Sequence, residues 1–330
     1  MRASRDRFPV DFALAFDHLL AATPEPAPLR SLEDWWAGHR RATAGGHPPG
    51  VRALLAGFAA DRPGYAFASG LQEALALLIG DAPDRRRAFC ATEEGGAHPR
   101  AIQTELIPDG DGWHLQGEKR WLSLGSFAEE LLVVARLPAE PGDERPRLAL
   151  VRVPAERAGI AVTDMPPTPF IPEVPHAVAT FDAVVIRRSE RLPGDGYARY
   201  FKPFRTVEDC LVHTALLAWM IQAGRRARWP EEHVEAVATV ALGFACLAEA
   251  DPTSHGVHRL LGGLLARTAE LVQKGEDYEA LLESETRARW IRDRPLLKVA
   301  ERARVRRLEV ARTRALGSRW ARQSDGAGVR

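Results

Sequence analysis

The chain contains no long hydrophobic run. Apolar residues never continue for the roughly 18 positions a membrane span needs, so no membrane-crossing segment is expected. The opening residues, Met1-Arg-Ala-Ser-Arg-Asp-Arg7, are not followed by the apolar stretch of a signal peptide, and a cytoplasmic protein is expected. Cysteine is scarce, with Cys90, Cys210 and Cys246 far apart. That excludes a disulfide framework and, with no Cys-x-x-Cys, argues against a structural zinc; reduced, buried thiols are expected. Net charge is also nearly absent, at +1 over 330 residues. The balance conceals an asymmetry, because fourteen Lys/Arg against four Asp/Glu from Arg287 to Arg330 make that tail +10. The remainder is then about −9. At 45% hydrophobic, the length suffices for a large core and two or three domains.

The most informative stretch runs from Ala88 to Arg136 and reads as β-structure. Asp109-Gly110 and Asp111-Gly112 are hairpin turn signals, since glycine takes positive φ freely. Trp113, Leu115, Gly117 and Lys119 alternate with His114, Gln116, Glu118 and Arg120, the two-residue period of a strand. Leu131–Val134 is an apolar run of strand length. Later strands are expected at 147–153, 160–163 and 178–185, separated by proline-rich loops.

Both flanks read as helical. Apolar spacing predicts helices over 11–20, 51–58 and 65–79, with Ser31 and Asp34 as a capping box for another. After the β region, helices are expected over 206–226, 230–250, 255–274 and 278–316, the last interrupted at Pro295. Four sequential helices with short loops predict an antiparallel bundle. The expected fold class is therefore α+β and mostly α. It has an N-terminal helical domain (1–85), a middle β-barrel-like domain (86–200) and a C-terminal four-helix bundle with a basic tail (201–330).

Two motifs in the β region carry a resemblance. Thr92-Glu-Glu-Gly-Gly-Ala-His-Pro99 is similar to a Thr-Glu-Pro-Gly-Ala-Gly-Ser-Asp loop. Gln116-Gly-Glu-Lys-Arg-Trp-Leu-Ser-Leu-Gly125 is similar to Asn-Gly-Glu-Lys-x-Trp-Ile-Thr-Asn-Gly. In this order and spacing they resemble the middle domain of the acyl-CoA dehydrogenase family. The helical–β–helical order is also that family's. The resemblance implies an FAD-dependent oxidoreductase of fatty acid metabolism that desaturates an acyl thioester. A carboxylate takes the α-proton while the β-hydrogen leaves as hydride to the flavin. It also implies a homo-oligomer, a dimer or tetramer.

The resemblance carries over residue by residue. It places Phe89, Ala91 and Thr92 before the loop, and Trp121 and Ser123 in the Trp-x-Ser segment, against FAD. It places His98 in the substrate loop, where His98 and Pro99 stand for the family's Ser and Asp. The late Tyr-Glu-Gly-Thr segment that usually carries the base is missing; Trp290-Ile-Arg-Asp-Arg-Pro295 stands there. Isovaleryl- and long-chain-type members carry the base on the first C-terminal helix, and the Glu-to-Met spacing there puts Glu208 in that role. Asp209 replaces an Arg of that pattern.

Blander readings stand beside these. Glu208 also suits a first-turn acid on a helix capped by Thr206, and Trp121 and Phe89 also suit ordinary β-domain core. The flavin-diphosphate segments have no good counterpart: Arg225-Arg-Ala-Arg228 departs from the family's Arg-x-x-Phe-Gly, and Gly262-Gly263 lies in a Leu-rich helix. These losses keep open a catalytically degenerate homologue that acts as a binding or structural subunit without flavin. His255 and His258 have His-x-x-His spacing but no third ligand, so no metal is expected. The basic tail reads as a solvated helix with a buried stripe (Leu296, Val299, Ala300, Ala303, Leu308, Ala311), or as a grip on phosphates of CoA or nucleic acid.

Overall fold

In the computed structural model, which describes residues 8–21, 24–96 and 98–324, four helices come first. They are α1 (Phe8–Ala21), α2 (Leu32–Ala42), α3 (Pro49–Ala59) and α4 (Pro63–Ile79). Ser31 caps α2 as expected: its hydroxyl accepts from the Asp34 N–H at 3.2 Å, and the Asp34 carboxylate accepts from the Arg30 N–H at 3.1 Å.

Seven strands follow: β1 (Arg87–Cys90), β2 (Glu105–Asp109), β3 (Gly112–Ser123), β4 (Glu130–Arg136), β5 (Leu148–Pro154), β6 (Ile160–Asp164) and β7 (His176–Ile186). They form one curled sheet in the order β1-β4-β2-β3-β7-β6, with β5 paired to β4. Strand β4 shows why its run is apolar throughout. Leu131, Val133 and Ala135 fill the core inside the sheet, while Leu132 and Val134 face the helical core on the other side. Gln72 of α4 ties the helices to β1 by exchanging two hydrogen bonds, both 2.8 Å, with the Arg87 backbone.

A π-helical turn (Gly196–Phe201) leads into α5 (Lys202–Arg226), followed by α6 (Glu231–Leu247), α7 (His255–Gly275), α8 (Ser284–Asp293) and α9 (Glu301–Ser324). The expected helix over 278–316 is split as its proline suggests: α8 and α9 are separated by a 3₁₀ turn, Arg294–Lys298. Helix α5 is buried along nearly its whole length, so it has no single apolar stripe, and polar Asp209, His213 and Gln222 are buried among its apolar residues. Helices α3 and α4 reach it by glycine. A Cβ on Gly57 would stand 2.2 Å from the Ala215 carbonyl oxygen, and one on Gly70 2.6 Å from that of Leu211.

The basic tail follows its predicted stripe only in part. Ala311 is buried and Leu308 half-buried against α7, but Val299 is 64% exposed and Ala303 is exposed. The inner face of α9 is instead turned by two of its arginines, as described below. Cys90 and Cys210 are free and buried as expected, whereas Cys246 lies on the outer face of α6. No helix among the described residues is long and apolar enough to cross a membrane.

The close approach of α4 to α5 has a direct test. Gly70→Ala is expected to destabilise the protein by about 1–3 kcal/mol, through overpacking. Gly263→Ala, in α7 with no atom within 4 Å of the added methyl, should stabilise it by up to about 1 kcal/mol through helix propensity. Urea unfolding of both variants checks this; shifts of the same sign would contradict the packing.

Candidate active site

The site begins with a buried ion pair. Lys119 of β3 is fully buried, and its ammonium donates to Glu93 at 2.7 Å. The Glu93 carboxylate also accepts from the N–H groups of Gln103 and Thr104, at 2.6 and 3.0 Å, and from the Thr104 hydroxyl at 2.8 Å. Burial opposes both charges, but the four donors outweigh it and hold the Glu93 carboxyl below its usual range. Gly117, at φ 138°, is needed beside this pair, because a Cβ there would meet the Thr104 Cα at 2.7 Å. The two motifs read from the sequence are thus joined through Glu93 and Lys119. The Arg120 N–H donating to the Thr92 carbonyl at 2.8 Å completes the join.

Two residues on, β3 carries a bulge. Lys119 pairs with Ala179 and Leu122 with Ala177, so β3 has one residue more than β7 between them. Trp121 takes φ 62°, a left-handed conformation rare for a large side chain. Leu122 and Lys119 stay buried while Trp121 is 53% exposed. Strict alternation from Lys119 would have put Trp121 in the core, so the bulge re-aims the indole outward, and the core reading of Trp121 does not hold.

The indole joins a cleft of about 150 Å³ whose lining includes Phe89, Ala91, Thr92, Trp121, Ser123 and Glu208. These six residues come from β1 and the loop after it, from β3 and from α5, and the fold brings all of them together. Phe89 packs on Phe204 of α5, ring centres 4.2 Å apart, so it serves the cleft wall and the core at once. Ser123 lies 3.1 Å from His176 Nε2, and His176 Nδ1 lies 3.1 Å from the Val174 carbonyl. A carbonyl only accepts, so Nδ1 carries the proton and the Ser123 hydroxyl donates to Nε2. Burial lowers the His176 pKa, consistent with a neutral ring. The lone pairs of Ser123 Oγ are left to face the cleft.

Glu208 is not a first-turn acid. Helix α5 starts at Lys202, with the π turn before it, so Glu208 stands nearly two turns in and Thr206 is no cap. The helix-dipole explanation for Glu208 therefore falls away. Burial, and then the neighbouring Asp209 charge, push the Glu208 carboxyl up to about 7, against the pull of Arg205, Arg304 and Arg307.

Glu208 also borders a second cleft of about 370 Å³, on the side of α9 and the start of α7. His98 lies there, exposed, with its ring capping a 3₁₀ turn by accepting from the Arg100 N–H at 3.2 Å. His255 and His258 line the same cleft. Among the described residues, no group of three or more His, Cys, Asp or Glu could hold a metal ion. Sequence reasoning missed Asp209, whose carboxylate is held by Arg304 and Arg307 of α9. An acid in place of an arginine, followed by an arginine-rich tail, was the available signal. The arginines ending α5 serve the fold: Arg225 donates to the Leu19 carbonyl at 2.6 Å, and Arg226 pairs with Glu283. Gly262 admits Leu308 of α9.

Residues 88–184 match the family model for the acyl-CoA dehydrogenase middle domain. No curated protein matches the chain in sequence. Among solved structures, glutaryl-CoA dehydrogenase from Mycobacterium smegmatis is 16% identical with a TM-score of 0.63, over 93% of this chain and 95% of that one. PigA in complex with FAD is 12% identical, TM-score 0.68, over 95% and 98%. KijD3 in complex with FMN and a nucleotide sugar is 17% identical, TM-score 0.63, over 94% and 92%. At these identities the likeness is one of fold.

Two outcomes are expected. Lys119→Met leaves the Glu93 charge buried alone and should cost about 3–5 kcal/mol in urea unfolding, with Glu93→Gln added to it recovering part. Glu208→Gln tests the raised carboxyl without any assay of activity. In the unfolded chain Glu208 ionises near 4.5 and in the folded chain near 7, so the folded state loses stability as pH rises between them. The variant should match the parent at pH 4 and exceed it at pH 8 by about 1–2 kcal/mol, a figure reduced for the partial opening to solvent.

Proposed function

The middle domain belongs to the acyl-CoA dehydrogenase family and the whole chain has that family's fold, and on that premise we propose a flavoprotein dehydrogenase acting on an acyl thioester. The observation that carries the reading is the convergence of a raised carboxyl, Glu208, and an outturned indole, Trp121, on one cleft. The cleft fits a flavin in its chemistry. The Trp121 face would hold the ring system, and the Thr92 hydroxyl and the free lone pairs of Ser123 would meet its polar edge. Phe89 and Ala91 would close the apolar side. FAD, when bound, supplies the hydride acceptor.

Glu208 is the base in this reading. A carboxyl pushed up to about 7 is a stronger base than an ordinary carboxylate and is still ionised in useful part at neutral pH. It would take the proton α to the thioester carbonyl. The aromatic wall of Phe89, Phe201 and Phe204 keeps water from that proton transfer. The second cleft, with Lys202, Arg205 and Arg306 on its wall and His98 at its edge, suits the phosphate of CoA or of a carrier-bound pantetheine. A cytoplasmic homo-oligomer, dimer or tetramer, is part of the same proposal.

One observation favours a second reading. Arg225 and Arg226 are engaged within the chain rather than aimed at a diphosphate, as in a degenerate homologue that keeps the fold as a binding subunit without flavin. The visible spectrum after incubation with FAD and desalting separates the two: a retained flavin band supports the dehydrogenase, and a colourless protein supports the subunit. With flavin retained, Glu208→Gln should slow bleaching of that band by an acyl thioester about 10²–10⁴-fold. Bleaching at the parent rate would remove Glu208 from the role of base.

A further inference from the structure

Glu208 and Asp209 are neighbours on α5 with different surroundings. Asp209 is 6% exposed. Arg304 Nε donates to its Oδ1 at 2.9 Å, and Arg307 donates to its Oδ2. Arg307 also donates to the Thr206 hydroxyl at 3.2 Å, one turn before Asp209's neighbourhood on the same helix. Burial works against ionised Asp209, but the two arginines outweigh it and hold its carboxyl below the usual range.

Over the part of α9 whose side chains are described, apolar packing on α7 is narrow. Leu308 seats over Gly262, and Ala311 is buried, but Val305 and Val310 are 49% and 45% exposed. Yet α9 supplies much of one wall of the cleft beside Glu208, through Ala303, Arg304, Arg306, Arg307 and Val310. The charged tie to Asp209 anchors that wall to α5.

We propose that Asp209 is a positioning residue: through Arg304 and Arg307 it latches α9 across the cleft and so fixes the surroundings of the Glu208 carboxyl. The proposal depends on the dehydrogenase reading only for its consequence in catalysis. The charged groups beside Glu208 on its own helix are Lys202, Arg205 and Asp209, and those from α9 are Arg304, Arg306 and Arg307. His255 and His258 at the start of α7, and His98 from the loop after β1, line the same cleft. Losing the Asp209 charge removes a repulsion, and water enters as α9 lifts; both favour ionised Glu208. Arg304 and Arg307 move off with α9, which acts the other way, but burial and the Asp209 charge are the larger causes, so the net shift is downward.

The test uses the full chain with ¹³C-labelled glutamate carboxyls. Glu208→Gln assigns the resonance, a pH titration gives its midpoint, and hydrogen exchange reads the amides of 301–313. Asp209→Asn should lower the midpoint by at least about one pH unit and speed exchange in α9 at least about tenfold. Asp209→Glu should restore both in large part. If Asp209→Asn does not fold, Arg307→Lys keeps the charge, loses the fork, and should move both readouts the same way by less. Unchanged exchange in α9 overturns the latch. Faster exchange with an unmoved Glu208 midpoint overturns the positioning role. A parent protein that turns over no thioester would count against the dehydrogenase reading alone, because the titration and the exchange still decide the latch.

Discussion

The contact on which the site depends is the buried pair of Glu93 and Lys119. An ammonium fully out of water is tolerated only beside a carboxylate that is itself fully engaged, and Glu93 accepts from four donors. That demand brings the loop after β1, the start of β2 and the middle of β3 to one point. With the loop fixed there, the Thr92 carbonyl meets the Arg120 N–H and the strand bulges next to it. The exposure of Trp121 follows from the bulge. In a chain with only four lysines, the one on β3 is fully buried.

The second half of the site comes from α5. Its backbone is held by glycine-mediated contact with α3 and α4, and its early turns emerge between the sheet and α9. Two adjacent carboxylates there meet opposite fates. Asp209 points to two guanidinium groups and stays ionised; Glu208 points to an aromatic cleft and is driven toward its neutral form. Neighbouring positions on a helix lie about 100° apart, which is enough to place one acid on the α9 side and the other at the cleft. Environment, not residue type, separates them.

Much of the fold was legible in local chemistry. The turn glycine at Gly110, the apolar run from Leu131 and the cap at Ser31 each act within a few residues and appear as read, whereas Gly112 opens β3 opposite Asp109 instead of turning. The start of α5 was misread because Thr206 is a good cap in isolation, while the π turn and Pro203 extend the helix backward. The stripe on α9 was misread because its apolar spacing is weak and two ion pairs set its rotation instead.

By itself the sequence determined the order of helical and β regions, the motifs around Thr92 and Trp121, and which acids were candidates for chemistry. These rest on short-range rules of turn, period and spacing. Only the tertiary structure decided that Trp121 faces a cleft rather than the core, that Glu208 has a raised pKa, and that Asp209 engages the basic tail. Each of those turns on a strand bulge or on a partner roughly 95 residues away, as with Asp209 and Arg304. Periodicity cannot foresee an inserted residue in a ladder, and electrostatics depends on distances that exist only once the chain has folded.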